Sequence, residues 1–181
     1  CGVPDELLFM DGLVEDGVEI HYMRPRPAES RQGNELDNIH EYNYPNLFRK
    51  LSALPGPLSR LILCFILPGL LYNRVRGIAQ EIRPDIILGF SHHSIQPVSK
   101  AGRELNIPTA VKLFGVMHLG REDENIFDYY YHNFDQINSL RFPVDHYLVL
   151  NDGTIGKKAL MGREIPESRI TFLPNGMNLE W

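Results

Sequence analysis

The hydrophobic positions of this chain fall into short apolar runs that alternate with stretches of helical spacing. Between Asp5 and Asp16, Leu7, Leu8, Met10, Leu13 and Val14 recur on one helix face, and Gly17 follows where a helix C-terminal glycine belongs. Residues 18–23 then read as a strand. Helix, glycine and strand make the second half of a β-α-β unit, whose first strand is expected ahead of Cys1. Residues 24–46 are polar and carry Pro25, Pro27 and Gly33, so a loop is predicted there, with an edge strand over 38–42.

Residues 58–82 have a helical period, with a break or kink expected at Pro68-Gly69, because proline removes a backbone donor and clashes with the preceding turn. Arg83-Pro84 ends that helix. Residues 85–90 form a continuous apolar run, as in a parallel strand covered on both faces. A helix over 96–105, a turn over 106–108 and a strand over 109–114 follow. Residues 120–142, rich in Asp, Asn and Tyr without a clear period, predict short helices and loop. A strand over 145–150, a helix and a strand over 170–173 close the pattern, with an exit turn at Pro174-Asn175-Gly176. This alternation predicts an α/β domain with a doubly wound, mostly parallel, Rossmann-like sheet.

Composition narrows the picture. The 181 residues suit one domain, and 43% hydrophobic with 23% charged residues is ordinary for a globular chain. A net charge of -5 argues against a nonspecific nucleic-acid binder, which needs a basic surface. Cys1 and Cys64 cannot build a disulfide framework, and no Asn-x-Ser/Thr sequon occurs, which fits a reducing, cytoplasmic setting. The chain opens with neither a basic start nor an apolar run, so no signal peptide is read. The apolar segment at 61–71, interrupted by Pro68-Gly69, is too short to span a bilayer. Arg24, Arg26 and Arg31 lie in the loop after the strand at 18–23, and Arg49, Lys50 and Arg60 precede and open the helix that carries this segment. They are either a solvated loop or a peripheral contact with the inner face of a membrane or a phosphorylated lipid.

In open parallel sheets, ligands bind beyond the carboxyl ends of the strands. Three polar clusters fall there: Ser91, His92, His93 and Ser94 after the strand at 85–90, Gly115 to His118 after 109–114, and Asn151 to Thr154 after 145–150. Lys112 lies inside an otherwise apolar strand, where an unpaired charge is costly; it reaches the cleft, pairs with an acidic neighbour or lies on an edge. Asn151 or Asp152 also suits a helix N-cap. No metal is expected: His92 and His93 are adjacent, and no carboxylate or cysteine has ligand spacing to them along the chain.

An ordered set of segments resembles the N-terminal domain of the retaining, family-4 glycosyltransferases of the GT-B fold. Gly-Val-Glu-Ile at 17–20 is similar to the family's "GHEV" segment, and Arg83-Pro-Asp-Ile-Ile87 to its "kPDvi" strand. Leu105-Asn-Ile-Pro-Thr-Ala-Val111 resembles "lgiPvv", and Lys112-Leu-Phe-Gly115 sits where "t-x-HG" is common. Asp145, its apolar strand and Pro174-Asn175-Gly176 match the family's domain ending. The resemblance implies an acceptor-side domain over 1–174, with 175–181 beginning an interdomain linker. It implies one half of a two-domain enzyme that moves a sugar from a nucleotide-sugar donor to a hydroxyl acceptor (saccharide, lipid or small molecule) with retention, using no cofactor beyond that co-substrate. The missing C-terminal domain, with most donor-binding residues, would lie beyond Trp181, and this piece alone would be inactive.

By the same resemblance, Gly2 stands for the second glycine of a loop that contacts acceptor and donor, where only glycine allows so close an approach. The family's histidine before Gly115 is Phe114 here, so His118, from the same loop, becomes the catalytic candidate. Two other readings stay open. One is a GT-B-fold sugar-nucleotide epimerase, for which Asp123 and Glu124 are the carboxylates near a strand end. The other is a non-catalytic, flavodoxin-like binding module.

Overall fold

The computed structural model describes residues 12–24, 39–43, 62–114, 125–151 and 156–174. The chain divides into two compact units, Cys1–Pro55 and Gly56–Trp181, each with its own sheet among the described residues.

In the first unit, a helical turn at 12–15 ends on Gly17, whose φ of 82° suits glycine. The Gly17 N–H donates to Val14 O at 2.9 Å and the Val18 N–H to Leu13 O at 3.0 Å, the paired bonds of a Schellman ending. The chain then enters β1, Ile20–Arg24, which pairs with β2, Ile39–Asn43. The pairing is parallel, with His21 opposite His40 and Met23 opposite Tyr42. The strand expected near 38–42 is therefore present, set side by side with the strand expected at 18–23.

The second unit is built on β3 (Ile87–Phe90), β4 (Thr109–Leu113), β5 (His146–Asn151) and β6 (Ile170–Pro174). They lie in sequence order in one all-parallel sheet. Between them run α2 (Ile95–Leu105), α3 (Ile126–Ser139) and α4 (Gly156–Met161), and α1 (Leu67–Ile82) precedes β3. All five residues of β4 are buried, as a central strand covered on both faces requires. Ile95, Val111, Val149 and Leu160 have no exposed surface and form the middle of the core.

Two expectations change. The break or kink foreseen at Pro68-Gly69 takes the form of a change of helix type just ahead of Pro68, and α1 itself runs on without division. A single π turn, Ile62–Ile66, comes first, and Pro68 sits in the first turn of α1, where its missing N–H is not needed. Residues 126–139 form one continuous helix rather than short pieces. The other boundaries follow local chemistry. Arg83 and Asn106 close α1 and α2 in the left-handed conformation, at φ 50° and 56°. Gly102 lets α2 approach β4, since a Cβ there would lie 2.8 Å from Ile107 O and closer still to the Thr109 side chain. Tyr72 and Arg76 of α1 both bond the Glu104 carboxylate of α2.

At the amino ends of β4 and β5, Asp145 Oδ2 accepts from Thr109 N–H at 2.9 Å and from Thr109 Oγ1 at 2.8 Å. Thr109 Oγ1 in turn accepts the Asp145 N–H at 3.1 Å. This clamp fixes the strand register and leaves the carboxyl ends of the sheet for other work.

Candidate functional site

The turn beyond β3 is conformationally unusual. Ser91 has φ 69° and ψ 161°, a region that is essentially glycine's and costs a non-glycine residue on the order of 1–3 kcal/mol. Its neighbours hold it there. The Ser91 N–H donates to Lys112 O at 2.9 Å, and Ser91 O accepts from the Ser94 N–H at 3.1 Å and from Ser94 Oγ at 2.7 Å. Gly89 makes room for that fold-back, because a Cβ on it would come within 2.9 Å of Ser94 Cβ. Strain of this kind collects at working sites, and here it orients the two residues that follow.

His92 and His93 make one 3₁₀ turn with Ser94 before α2 begins. His92 Nε2 lies 3.0 Å from Asp135 Oδ2, on α3. With Nε2–H donating to that carboxylate, Nδ1 remains an acceptor facing Ser91 Oγ at 3.4 Å. That contact is long enough for a better donor, such as a ligand hydroxyl, to displace it. The other Asp135 oxygen, Oδ1, accepts the Gln136 N–H at 2.9 Å. The His93 ring packs 4.0 Å from that of His92.

The electrostatics follow from this packing. Burial lowers the pKa of His93 to about 4, and the adjacent His92 pushes the same way against the pull of Asp135. Burial raises the pKa of Asp135, but the hydrogen bond and charge of His92, the Gln136 N–H and the charge of His93 outweigh it and hold the carboxyl at about 2. At neutral pH the cluster is therefore a fixed anion, an oriented His92 and an uncharged His93.

The structure brings together Ser91, His92 and His93 and adds Asp135, which linear spacing did not offer. His92, His93 and Asp135 each place a ligand atom within 4.8 Å of the others, so a carboxylate without ligand spacing along the chain meets the histidine pair in space. Only His92 meets the carboxylate directly, so the set is first a hydrogen-bonded relay. Beside Asp135, Gln136 Oε1 is buried with no hydrogen-bond partner among the described residues. The signal that finds Asp135 is helical: it becomes visible once 126–139 is read as one helix.

Lys112 is 5% exposed on a central strand, so the edge explanation is excluded. Its Nζ sits 5.9 Å from the centre of the Phe90 ring and 5.7 Å from that of Phe114, within cation–π range of both. Phe114, which stands where the resembled family has histidine, thus packs against Lys112. Asn151 ends β5 opposite Pro174. Gly2, Gly115 and His118 lie outside the described residues, as do Asp123 and Glu124. Among the described residues no helix is long and apolar enough to cross a membrane.

No family model matches the chain, and no curated protein matches it in sequence. Solved structures align with it. LpCGTa in complex with UDP aligns with a TM-score of 0.52 over 98% of this chain and 52% of that one, at 11% identity. A UDP-N-acetylglucosamine 2-epimerase aligns with a TM-score of 0.41 over 75% of this chain and 40% of the other, at 12% identity. The chain thus spans about half or less of the length of these two structures. The likeness to LpCGTa shows a shared mostly parallel, Rossmann-like α/β fold.

Proposed function

We propose that the chain is the acceptor-side half of a GT-B glycosyltransferase, over residues 1–174, with 175–181 leading to a second domain. The enzyme moves a sugar from a nucleotide-sugar donor to a hydroxyl acceptor with retention of configuration. The observation that carries this reading is the Ser91–His92–Asp135 network, assembled on a strained turn at the carboxyl end of a parallel strand. Open α/β sheets take their ligands at that edge. UDP bound to a structure of similar fold makes a uridine diphosphate sugar the donor class to try first, by fold analogy alone.

In this reading Asp135 fixes the His92 ring, and Nδ1 of His92 accepts the hydrogen bond of the acceptor hydroxyl in place of Ser91. Uncharged His93 keeps positive charge away from that nitrogen. By the family resemblance alone, Gly2 and Gly115 are candidates for donor or acceptor binding, and His118 is the candidate catalytic donor to the leaving group. Lys112 and Asn151 complete the lining from the next two strands.

The test uses the full-length protein with nucleotide sugars labelled at the anomeric carbon and a panel of hydroxyl acceptors. NMR of the product reads its configuration. A retained anomer supports the proposal, and an inverted one removes retention from it. Interconversion of the sugar nucleotide without an acceptor identifies an epimerase and overturns the transferase.

A further inference from the structure

The first unit carries a second constellation, unconnected with the reading above. Side chains alternate across a strand, so Glu19 and His21 project to one face of β1, and His40 and Tyr42 to one face of β2. The parallel register sets His21 directly opposite His40. All four side chains therefore meet on one side of the two-stranded sheet.

The distances are those of a ligand shell. Glu19 Oε1 lies 3.0 Å from His40 Nε2 and 3.3 Å from His21 Nε2. In a tetrahedral zinc site with bonds of about 2.0–2.2 Å, neighbouring ligand atoms lie roughly 3.3–3.5 Å apart. All three ligand atoms lie within 4.8 Å of one another. The two imidazoles stack with centroids 4.7 Å apart and planes 20° from parallel, so one ring must turn to aim both in-plane lone pairs at a single ion. Glu19 and His40 are exposed, at 63% and 47%, which leaves them room to do so. Tyr42 OH lies 3.1 Å from His21 Nδ1. A metal-bound histidine usually gives its other ring N–H to such an oxygen, which fixes its tautomer and orientation.

We propose that Glu19, His21 and His40 bind a zinc ion, with Tyr42 orienting His21 and the fourth position open to water. Two imidazoles and one carboxylate suit a borderline divalent metal rather than calcium or magnesium, which favour all-oxygen shells. The ion ties β1 to β2 and its binding stabilises the folded chain by mass action. Linear sequence hides the site, because only the parallel pairing joins His21 to His40.

The experiment strips the full-length protein with a chelator and titrates it with Zn²⁺ alone by calorimetry. The visible spectrum with Co²⁺ serves as a check on geometry. Expected is a Zn²⁺ affinity that His40→Ala and Glu19→Gln each weaken by about 10-fold or more, and that Tyr42→Phe weakens by about 10-fold. His93→Ala leaves it unchanged, and Zn²⁺ raises the Tm of the parent but not of His40→Ala. Circular dichroism checks that each substitution leaves the fold intact. No Zn²⁺ binding by the parent overturns the proposal. So does equal affinity in His40→Ala and Glu19→Gln, or a loss of binding confined to His93→Ala.

Discussion

His92 Nε2 and Asp135 Oδ2 lie 3.0 Å apart and join the turn after β3 to the helix α3. The contact holds an imidazole at a fixed angle at the carboxyl edge of a parallel sheet, with one nitrogen committed to a carboxylate and the other free to take a stronger donor than Ser91. A histidine on a loop is ordinarily a solvated side chain. This one is oriented from both sides.

The orientation makes the first prediction. In the full-length protein, His92→Ala lowers kcat for sugar transfer by about 100-fold, the scale of a lost proton-transfer or hydrogen-bonding group. Asp135→Asn lowers kcat less and leaves KM for the donor unchanged, because it disturbs the angle of His92 rather than a binding contact. Steady-state kinetics with both variants checks the split. Equal losses in KM assign the pair to ground-state binding instead.

The pair was only partly legible in the sequence. The strands at 87–90, 109–113 and 146–151 are short, predominantly apolar runs, as strands in a sheet covered on both faces tend to be. The polar residues after them were found by the same rule. Asp135 was not, because Asn, Asp and aromatic residues dominate α3 and blur its helical period. Lys112 misled in one respect. A lysine within an apolar run suggests an edge strand, and the register of three neighbouring strands puts it in the middle of the sheet, within cation–π range of two phenylalanine rings.

Acid should destabilise the second unit in two steps. His93 has a folded pKa of about 4 against an ordinary 6.5, so between those values the unfolded chain binds the proton and the folded one does not. Stability therefore falls as pH drops from about 6.5 to about 4. Asp135, held at about 2 against an ordinary 3.8, contributes stability that is present above about 3.8 and lost as pH falls toward 2. Urea titrations across this range should show His93→Gln flattening the upper step and Asp135→Asn the lower one.

Ser91 stores strain, and its removal should be measurable. Ser91→Gly is expected to raise stability by about 1 kcal/mol, the relief of a glycine-type backbone offset in part by the greater freedom of the unfolded chain. Ser91→Ala keeps the strain and brings no such gain. Denaturant midpoints of the two variants make the comparison. Both variants lose the Ser91 Oγ contact with His92, so they share its effect on activity.

The Thr109–Asp145 clamp should be the costliest polar contact to break in the second unit. Asp145→Ala leaves the buried Thr109 without a charged acceptor and is expected to cost about 2–3 kcal/mol. Thr109→Val keeps the backbone bond to Asp145 and costs about 1 kcal/mol. A double-mutant cycle should return a coupling of about 1 kcal/mol or more, since each change removes the same hydroxyl–carboxylate bond. Additive effects would mean the two residues act separately.

The most direct test of the proposed activity follows transfer of a radiolabelled sugar from UDP-sugars to hydroxyl acceptors by the full-length protein, comparing the parent with His92→Ala. The account predicts an acceptor-linked product from the parent, formed about 100-fold more slowly by the variant. A variant that matches the parent would contradict the assignment of the strand-end cluster as the site, and a parent that transfers no sugar would contradict the glycosyltransferase reading itself.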